Sequence, residues 1–503
     1  MLDNYLKLIL KAPVYDVAKE TKLEFADNLT NKFANNIWLK REDTQPSFSY
    51  KIRGAYSLIT NLLHSKKVIG LVAASAGNHA QGVSLSAKKL GLPVIIVMPK
   101  TTPQIKINAV RALGAKVQLH GNTYDEASIL AKTIAVNEKF DLIPPYDDEY
   151  IIAGQGTVGM EILRQYKGNI DFIFLPVGGG GLIAGVAAYV KQINPEIKII
   201  GVEPEEAPSM TAALSAKKPV SLDKIGIFAD GAAVKKVGKM NYEIVESFVD
   251  DMLLVSVDEI CASIKDIFEE KRVVLEPAGA LSVAGAKQFL AKKKFVNKNI
   301  VCVCSGANIN FDRLRHVAEL ADLGEKREVL LGVTIPERPG SFKEFCTAIG
   351  PRSITEFNYR VSSDSLAEVF VGIRVQEAEK EKKIIFAKLI SKGYKVIDLS
   401  ENELAKTHIR FMVGGRYTKR NERLYRFEFP ERPGALLKFL THLGDDWNIS
   451  LFHYRNHGAP YGRVLAGIEI ESEKKEDFIK ALAQLEITYF DETSNDAYEL
   501  FLK

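Results

Sequence analysis

Cysteine is scarce in this sequence, with four among 503 residues: Cys261, Cys302, Cys304 and Cys346. Cys302 and Cys304 stand two apart in the strand-like run NIVCVC, so both point to one face of a sheet. No second cysteine pair and no histidine at finger spacing accompanies them, which argues against a metal site. So few thiols also argue against a disulfide-dependent scaffold and favour a reducing compartment. An excess of one charge is missing as well. Lysine and arginine number 67 against 63 acidic residues, a formal +4 over the whole chain. That balance gives no reason to expect nucleic acid or an anionic membrane as partner. Long apolar runs are nearly absent. The start, MLDNYLKLILKAPVYDVAKETKL, has no basic lead, no sustained apolar stretch and no small-residue cleavage site, and reads as an amphipathic helix. One uncharged stretch is long enough to span a bilayer, Phe172 to Val190. It contains Pro176 and four consecutive glycines, and its first half reads as a buried strand. A cytoplasmic protein is expected.

What is present is enough apolar material, 46% of the chain, for about three domains at the usual size. From residue 37 to 305 short apolar runs alternate with helix-length segments. The runs 68–74, 93–99, 115–120, 171–177, 197–203 and 299–305 read as buried strands. Helices are expected at 79–90, 102–113, 123–140 and 257–272. This pattern predicts a parallel sheet covered on both faces, with ligands at the carboxyl ends of its strands.

The last third repeats. Pro336-Glu-Arg-Pro-Gly340 recurs as Pro430-Glu-Arg-Pro-Gly434, 94 residues on. Ile354 to Arg360 aligns with Ile449 to Arg455, and Glu368 to Val375 with Arg463 to Ile470, both 95 residues on. Each copy reads strand, PERPG turn, helix, two strands, helix, strand. Charged segments at 324–328 and 414–423 bound the copies. A duplicated unit of this kind offers a symmetric crevice for a ligand, or serves oligomer assembly alone.

Several residues in the first part suit chemistry. Gly178, Gly179, Gly180 and Gly181 follow the strand 171–177 and open a helix near Leu182. Successive glycines let N–H groups converge on an anion, and the helix N-terminus adds positive potential. The same run satisfies G-x-G-x-x-A through Gly179, Gly181 and Ala184, with Glu203 at the end of the next strand. A dinucleotide-dependent oxidoreductase therefore remains open. Lys51 lies where a loop enters the helix 52–63, and positive potential there disfavours its charge and suits an amine nucleophile. The loop Ser75-Ala76-Gly77-Asn78-His79 offers a hydroxyl, N–H groups and an amide that suit a carboxylate and a phenolic oxygen. Ser305-Gly-Ala-Asn308 ends another strand at the same rim.

In order and spacing, TQPSFSYKIRGA, SAGNHAQG, VGGGGL, FADGAAV, LEPAGA and CSGAN resemble the threonine dehydratases of the tryptophan-synthase-β-like pyridoxal-phosphate enzymes, over most of residues 10–315. The doubled tail, with DLSENELAKTHIRFMVGGR and FHYRNHG, resembles the biosynthetic form with paired ACT-like regulatory domains. The resemblance implies an α/β protein of PLP fold type II, with parallel and mixed sheets covered by helices in two catalytic subdomains. Two α+β ACT-like domains follow. The expected bounds are 1–325 for the catalytic part, and 329–413 and 424–503 for the regulatory ones.

The resemblance also implies roles. Lys51 would hold pyridoxal 5'-phosphate through its amine and then remove the substrate Cα proton. Gly178 to Gly181 and the N–H of Leu182 would hold the phosphate. Asn78 would donate to the phenolic oxygen, and Ser305 would face the pyridine nitrogen with a hydroxyl. The loop Ser75, Ala76, Gly77, Asn78 and His79 would take the substrate carboxylate. Glu276 would line the pocket or form a structural ion pair. Tyr50 replaces the phenylalanine usual before the lysine. The implied reaction is β-elimination of L-threonine to 2-oxobutanoate and ammonia, with feedback by isoleucine opposed by valine, in a homotetramer. A serine dehydratase or racemase is the sister reading. Racemases carry a serine where this chain has Ala76, and Ser209 stands where their metal cluster, matched by Glu203 and Ala207, needs a carboxylate. The PERPG loops, around Gly340 and Gly434, and the strands holding Phe357 and Phe452 are the expected effector crevice, or those phenylalanines are core. A catalytically silent amino-acid sensor is the third reading.

Overall fold

A computed structural model of the chain describes residues 2–311, 313–324, 328–361, 365–375, 378–402, 404–405, 409–412, 421–430, 437, 439–441, 447–455, 461–483, 488–495, 498 and 502. The chain divides into two compact units, Met1–Gly324 and Glu325–Lys503.

The first unit holds two sheets rather than the single one the strand pattern suggests. Four parallel strands stand in the order Lys116–Leu119, Val94–Met98, Leu71–Ala74, Asp141–Leu142. The larger sheet runs Leu23–Phe25, Asn36–Arg41, Asn299–Cys304, Phe172–Pro176, Lys198–Pro204, Asp251–Val255. Only its first pair is antiparallel. All six expected strands are present. The others, such as the two-residue Asp141–Leu142 and the partly buried Asp251–Val255, carry too short an apolar signal to be read from periodicity.

Local chemistry sets the helices. Thr123 and Glu126 form a reciprocal capping box at the start of Tyr124–Asn137, and Ser256 and Glu259 do the same for Val257–Lys271. Asp148 accepts from the N–H groups of Tyr150 and Ile151 to open Glu149–Gln165. The uncharged stretch 172–190 is the strand Phe172–Pro176, the glycine turn, and part of the helix Gly181–Ile193. Among the described residues no helix is long and apolar enough to cross a membrane. The four cysteines are buried thiols.

The second unit is one antiparallel sheet of eight strands built from the two repeats. The first copy contributes Glu328–Pro336, Ile354–Val361, Leu366–Arg374 and Lys395–Asp398. The second contributes Glu422–Pro430, Asn448–Arg455, Tyr461–Glu469 and Thr488–Asp491. Within each copy the spatial order is fourth, first, third, second, and the two second strands pair with each other, Phe357 opposite Tyr454 and Tyr359 opposite Phe452. Each of those strands carries an irregularity at its start, between Ile354 and Glu356 and between Ile449 and Leu451. The copies therefore share their distortions as well as their sequence. Phe357 and Phe452 are fully buried with ring centroids 5.8 Å apart, which makes them core and not the lining of a crevice. Gly340 stands at φ +86° and opens the helix Ser341–Ile349. Residues 431–434 of the second PERPG loop, the segment 413–420 and residues 325–327 lie outside the described residues.

Candidate active site

Four chain segments bring the predicted residues to the carboxyl ends of parallel strands. The strand Leu71–Ala74 delivers the loop 75–77, Phe172–Pro176 the glycine run, Asn299–Cys304 the loop 305–308, and Asn36–Arg41 the approach to Lys51. The last two are sewn together. The N–H of Tyr50 donates to Ser305 O at 3.2 Å, that of Ala307 to Phe48 O at 2.9 Å, and Asn308 Nδ2 to Ser47 O at 2.9 Å. Phe48 lies in the left-handed region at φ +55°, a conformation that costs a bulky residue about 1–2 kcal/mol; these bonds over-determine it.

Lys51 is the first residue of the helix Lys51–Ser65. Its Nζ donates to Pro145 O at 3.0 Å and lies 5.4 Å from the Tyr50 ring and 5.9 Å from the Tyr146 ring. The residue keeps some contact with solvent, as the floor of a recess does, yet protein surrounds the amine. Burial lowers its pKa to about 8, with the Glu276 carboxylate opposing. The cause thus differs from the helix-end potential that sequence reasoning invoked, although the direction is the same. An amine so tuned is neutral in useful proportion near pH 7–8 and can attack a carbonyl or take a proton.

Beside it, Asn78 begins the helix Asn78–Leu90. Its Nδ2 donates to Glu276 Oε1, and its Oδ1 accepts from Asn308 Nδ2 at 2.7 Å. Glu276 is buried and its pKa rises to about 7, first through burial and then through the Asp230 charge. Its direct partner is an amide, so the ion-pair alternative does not describe it. Ser75 Oγ accepts from the N–H groups of Gly77 at 3.2 Å and His79 at 2.9 Å, which shapes the loop. His79 Nε2 meets Ile143 O at 3.3 Å, and burial drops its pKa to about 3, so it is neutral at ordinary pH. Ala76 in this loop carries no protic group. Ser305 Oγ donates to Ala278 O at 3.4 Å at the start of the helix Pro277–Lys293.

The glycine run is packed backbone to neighbour. A Cβ on Gly178 would lie 2.9 Å from Ala232 Cα, and one on Gly179 2.2 Å from the Tyr146 ring. Gly180 stands at φ +93° and precedes the helix Gly181–Ile193, with no side chain capping it. The first N–H groups of a helix have no carbonyl inside it to receive them. Here they belong to buried residues, Gly181 and Leu182 among them, so the turn fits an anion such as a phosphate ester.

Sequence reasoning missed three contributors. Pro145 and Tyr146 come from a segment without periodic signal, and Asn241 from a helix that carries no motif. Asn241 Nδ2 donates to Gly179 O at 2.8 Å and Tyr146 O at 3.2 Å and holds the glycine turn from behind. Glu203, weighed as a ribose or metal ligand, does neither. It accepts from Met210 N at 2.7 Å, Thr211 N at 2.9 Å and Thr211 Oγ1 at 2.7 Å, and so caps the helix Ser209–Ser215.

A nucleophilic lysine, an uncapped glycine-rich helix start and a hydroxyl and amides in between define an enzyme that works through a phosphorylated aldehyde held by its amine. The comparisons with known proteins agree. Residues 14–306 match the family described as pyridoxal-phosphate dependent enzyme. Residues 319–409 and 413–502 each match the C-terminal regulatory domain of threonine dehydratase. The chain is 49% identical over 502 residues to the L-threonine dehydratase biosynthetic IlvA of Haemophilus influenzae, covering 99% of this chain and 98% of that one. The processed form of threonine deaminase isoform 2 from Solanum lycopersicum is 50% identical with a TM-score of 0.62, over 64% of this chain and 93% of that one. A serine racemase from Dictyostelium discoideum stands further off, at 30% identity and a TM-score of 0.56 over 61% and 99%. The chain belongs to the biosynthetic threonine dehydratases, within the pyridoxal-phosphate-dependent enzymes.

Proposed function

We propose that this protein is an L-threonine ammonia-lyase, converting L-threonine to 2-oxobutanoate and ammonia, with pyridoxal 5'-phosphate as cofactor. One observation carries the chemical part: the enclosed Lys51 amine, with its pKa lowered to about 8, shares its Tyr146 neighbour with the glycine turn. Full-length identity near one half to a biosynthetic threonine dehydratase supports the substrate and the step, the committed one toward isoleucine.

When bound, pyridoxal phosphate supplies an aldehyde for an amine to hold and a conjugated ring that takes up the electron pair left by a departing Cα proton. Lys51 holds the cofactor at rest. The neutral Nζ of Lys51 would take the substrate Cα proton. Gly178, Gly179, Gly180, Gly181 and the N–H of Leu182 hold the phosphate. Asn78 donates to the phenolic oxygen through the amide that Glu276 and Asn308 already orient. Ser305 would meet the pyridine nitrogen with a hydroxyl in place of a carboxylate, which suits loss of the β-hydroxyl over transamination. Backbone N–H groups and the Ser75 hydroxyl in the 75–79 loop grip the substrate carboxylate. Ala76 offers no second acid on the opposite face, which favours elimination over racemisation.

In this reading the catalytic part spans 1–325 and the regulatory domains 329–413 and 424–503. The duplicated tail binds an amino-acid effector, isoleucine as inhibitor and valine as its opponent, and the enzyme works as a homotetramer in the cytoplasm. Effector control requires that isoleucine bind one catalytic conformation better than the other. The test is 2-oxobutanoate release from L-threonine by the cofactor-loaded protein, with and without L-isoleucine. Release suppressed by isoleucine is expected. Release from L-serine alone would move the assignment to the sister reading, and release indifferent to isoleucine would remove the effector.

A further inference from the structure

Behind the pocket lie four charged side chains with no exposed surface: Lys40, Glu42, Arg53 and Glu161. Arg53 follows Lys51 by two residues on one helix, a rotation of about 200°. It therefore points to the back while Lys51 points into the recess. Its guanidinium is fully engaged. Nε and one terminal nitrogen fork onto the two Glu42 oxygens, each at 2.8 Å. The other terminal nitrogen donates to Glu161 Oε1 at 2.6 Å and Thr157 Oγ1 at 3.0 Å. Glu161 also accepts from Lys40 Nζ at 2.6 Å and from the Tyr15 hydroxyl at 2.9 Å. Glu42 accepts further from Thr21 Oγ1 at 2.5 Å and Gln45 Nε2 at 3.1 Å. Charges balance, two against two, and every carboxylate oxygen is used.

A buried network of this sort adds little stability that well-packed apolar residues would not supply. What it adds is geometry. Glu161 and Thr157 sit on the helix Glu149–Gln165, and the chain just before that helix supplies both Pro145 O, the acceptor of Lys51, and Tyr146, which covers the glycine turn. The same helix meets both neighbours at backbone distance. A Cβ on Gly154 would lie 2.7 Å from Arg53 O, and one on Gly185, in the helix after the glycine turn, 2.3 Å from Ile152 O. The lysine, its acceptor carbonyl and the anion turn are thus all registered on one helix.

We propose that Arg53 is a positioning residue: through Glu42 and Glu161 it fixes the rotation of the helix Lys51–Ser65 on the helix Glu149–Gln165, and so aims Lys51 Nζ at the cofactor and the substrate Cα. This rests on the reading that Lys51 is the base. The test uses Arg53→Lys in the full-length protein, which keeps the charge and loses the fork. Ser256→Ala serves as comparison, since it removes a helix cap remote from the network and lowers stability alone. For each, kcat and KM for L-threonine, the absorbance of lysine-bound cofactor and the unfolding midpoint are measured. In the cofactor-free protein, borohydride trapping of pyridoxal at Lys51 is followed against pH.

Arg53→Lys is expected to fold and to lose about 10²-fold in kcat with little change in KM, the usual effect of a misaimed group. The midpoint of its trapping profile should move up from wild type as the amine becomes less enclosed. Ser256→Ala should lose stability and keep both readouts. An Arg53→Lys protein with wild-type kcat and trapping profile but a lower unfolding midpoint would overturn the proposal and leave the network a matter of folding. If Arg53→Lys does not fold, Thr157→Val, which removes one bond to the guanidinium, is read on the same scale: a lower kcat supports the proposal and an unchanged one overturns it. A wild-type protein that makes no 2-oxobutanoate would refute the functional reading. The trapping profiles would still decide the role of Arg53.

Discussion

At the scale of the residue, Lys51 carries the account. Replacing it with alanine should abolish turnover and leave the fold intact, which an assay and an unfolding curve together would check. Its lowered pKa has a consequence in the cofactor-free protein. The rate at which the amine captures an aldehyde should climb with pH and level near pH 8, where an ordinary lysine would still be climbing toward pH 10. The unfolded chain binds the proton more tightly than the folded one between pH 8 and 10.5. Burial pushes the thiols of Cys261, Cys302, Cys304 and Cys346 the opposite way, so the Lys51 contribution is read as the difference in unfolding midpoint between the cofactor-free protein and its Lys51→Ala variant. That difference should shift in favour of the unsubstituted chain as pH rises through the window, and a difference that does not move would contradict the burial. Lys51, Asn78 and Ser305 were legible because each stands in a short polar motif at a strand end. Tyr146, Pro145 and Asn241 were not, because a backbone carbonyl and a ring packed on a glycine leave no pattern in sequence. Glu203 shows the opposite failure: the right spacing for a ribose ligand, spent on capping a helix.

At the scale of the element, the glycine turn makes the sharpest demand. Gly180→Ala would place a Cβ 2.6 Å from Met210 Cε at a positive φ, costing about 1–2 kcal/mol in backbone alone. The turn would shift, and the dissociation constant for pyridoxal phosphate, read by absorbance titration, should rise. Ser256→Ala should cost about 0.5–2 kcal/mol of stability and leave that constant unchanged, because its helix cap does not touch the site. The buried strands were readable as continuous apolar runs. Their division between two sheets was not, since an apolar run states that both faces are covered but names no neighbour.

At the scale of the whole molecule, the duplication was plain in sequence through PERPG and the 95-residue offset, and the eight-stranded sheet follows from it. What the repeats do not disclose is which positions face a ligand. Phe357 and Phe452 look like ligand contacts by their symmetry and are core by packing, because Phe342 and Phe345 of the helix Ser341–Ile349, together with Phe439, pack over the face they share. Isoleucine at saturating concentration should lower threonine turnover in the intact chain, and valine should restore it, as read by initial rates.

The most direct test of the central claim is borohydride reduction of the cofactor-loaded protein followed by mass mapping of the modified peptide. The expected result is a single phosphopyridoxyl group on Lys51, gained in step with the loss of 2-oxobutanoate formation from L-threonine. A phosphopyridoxyl group on another lysine, or full modification of Lys51 with turnover intact, would contradict it.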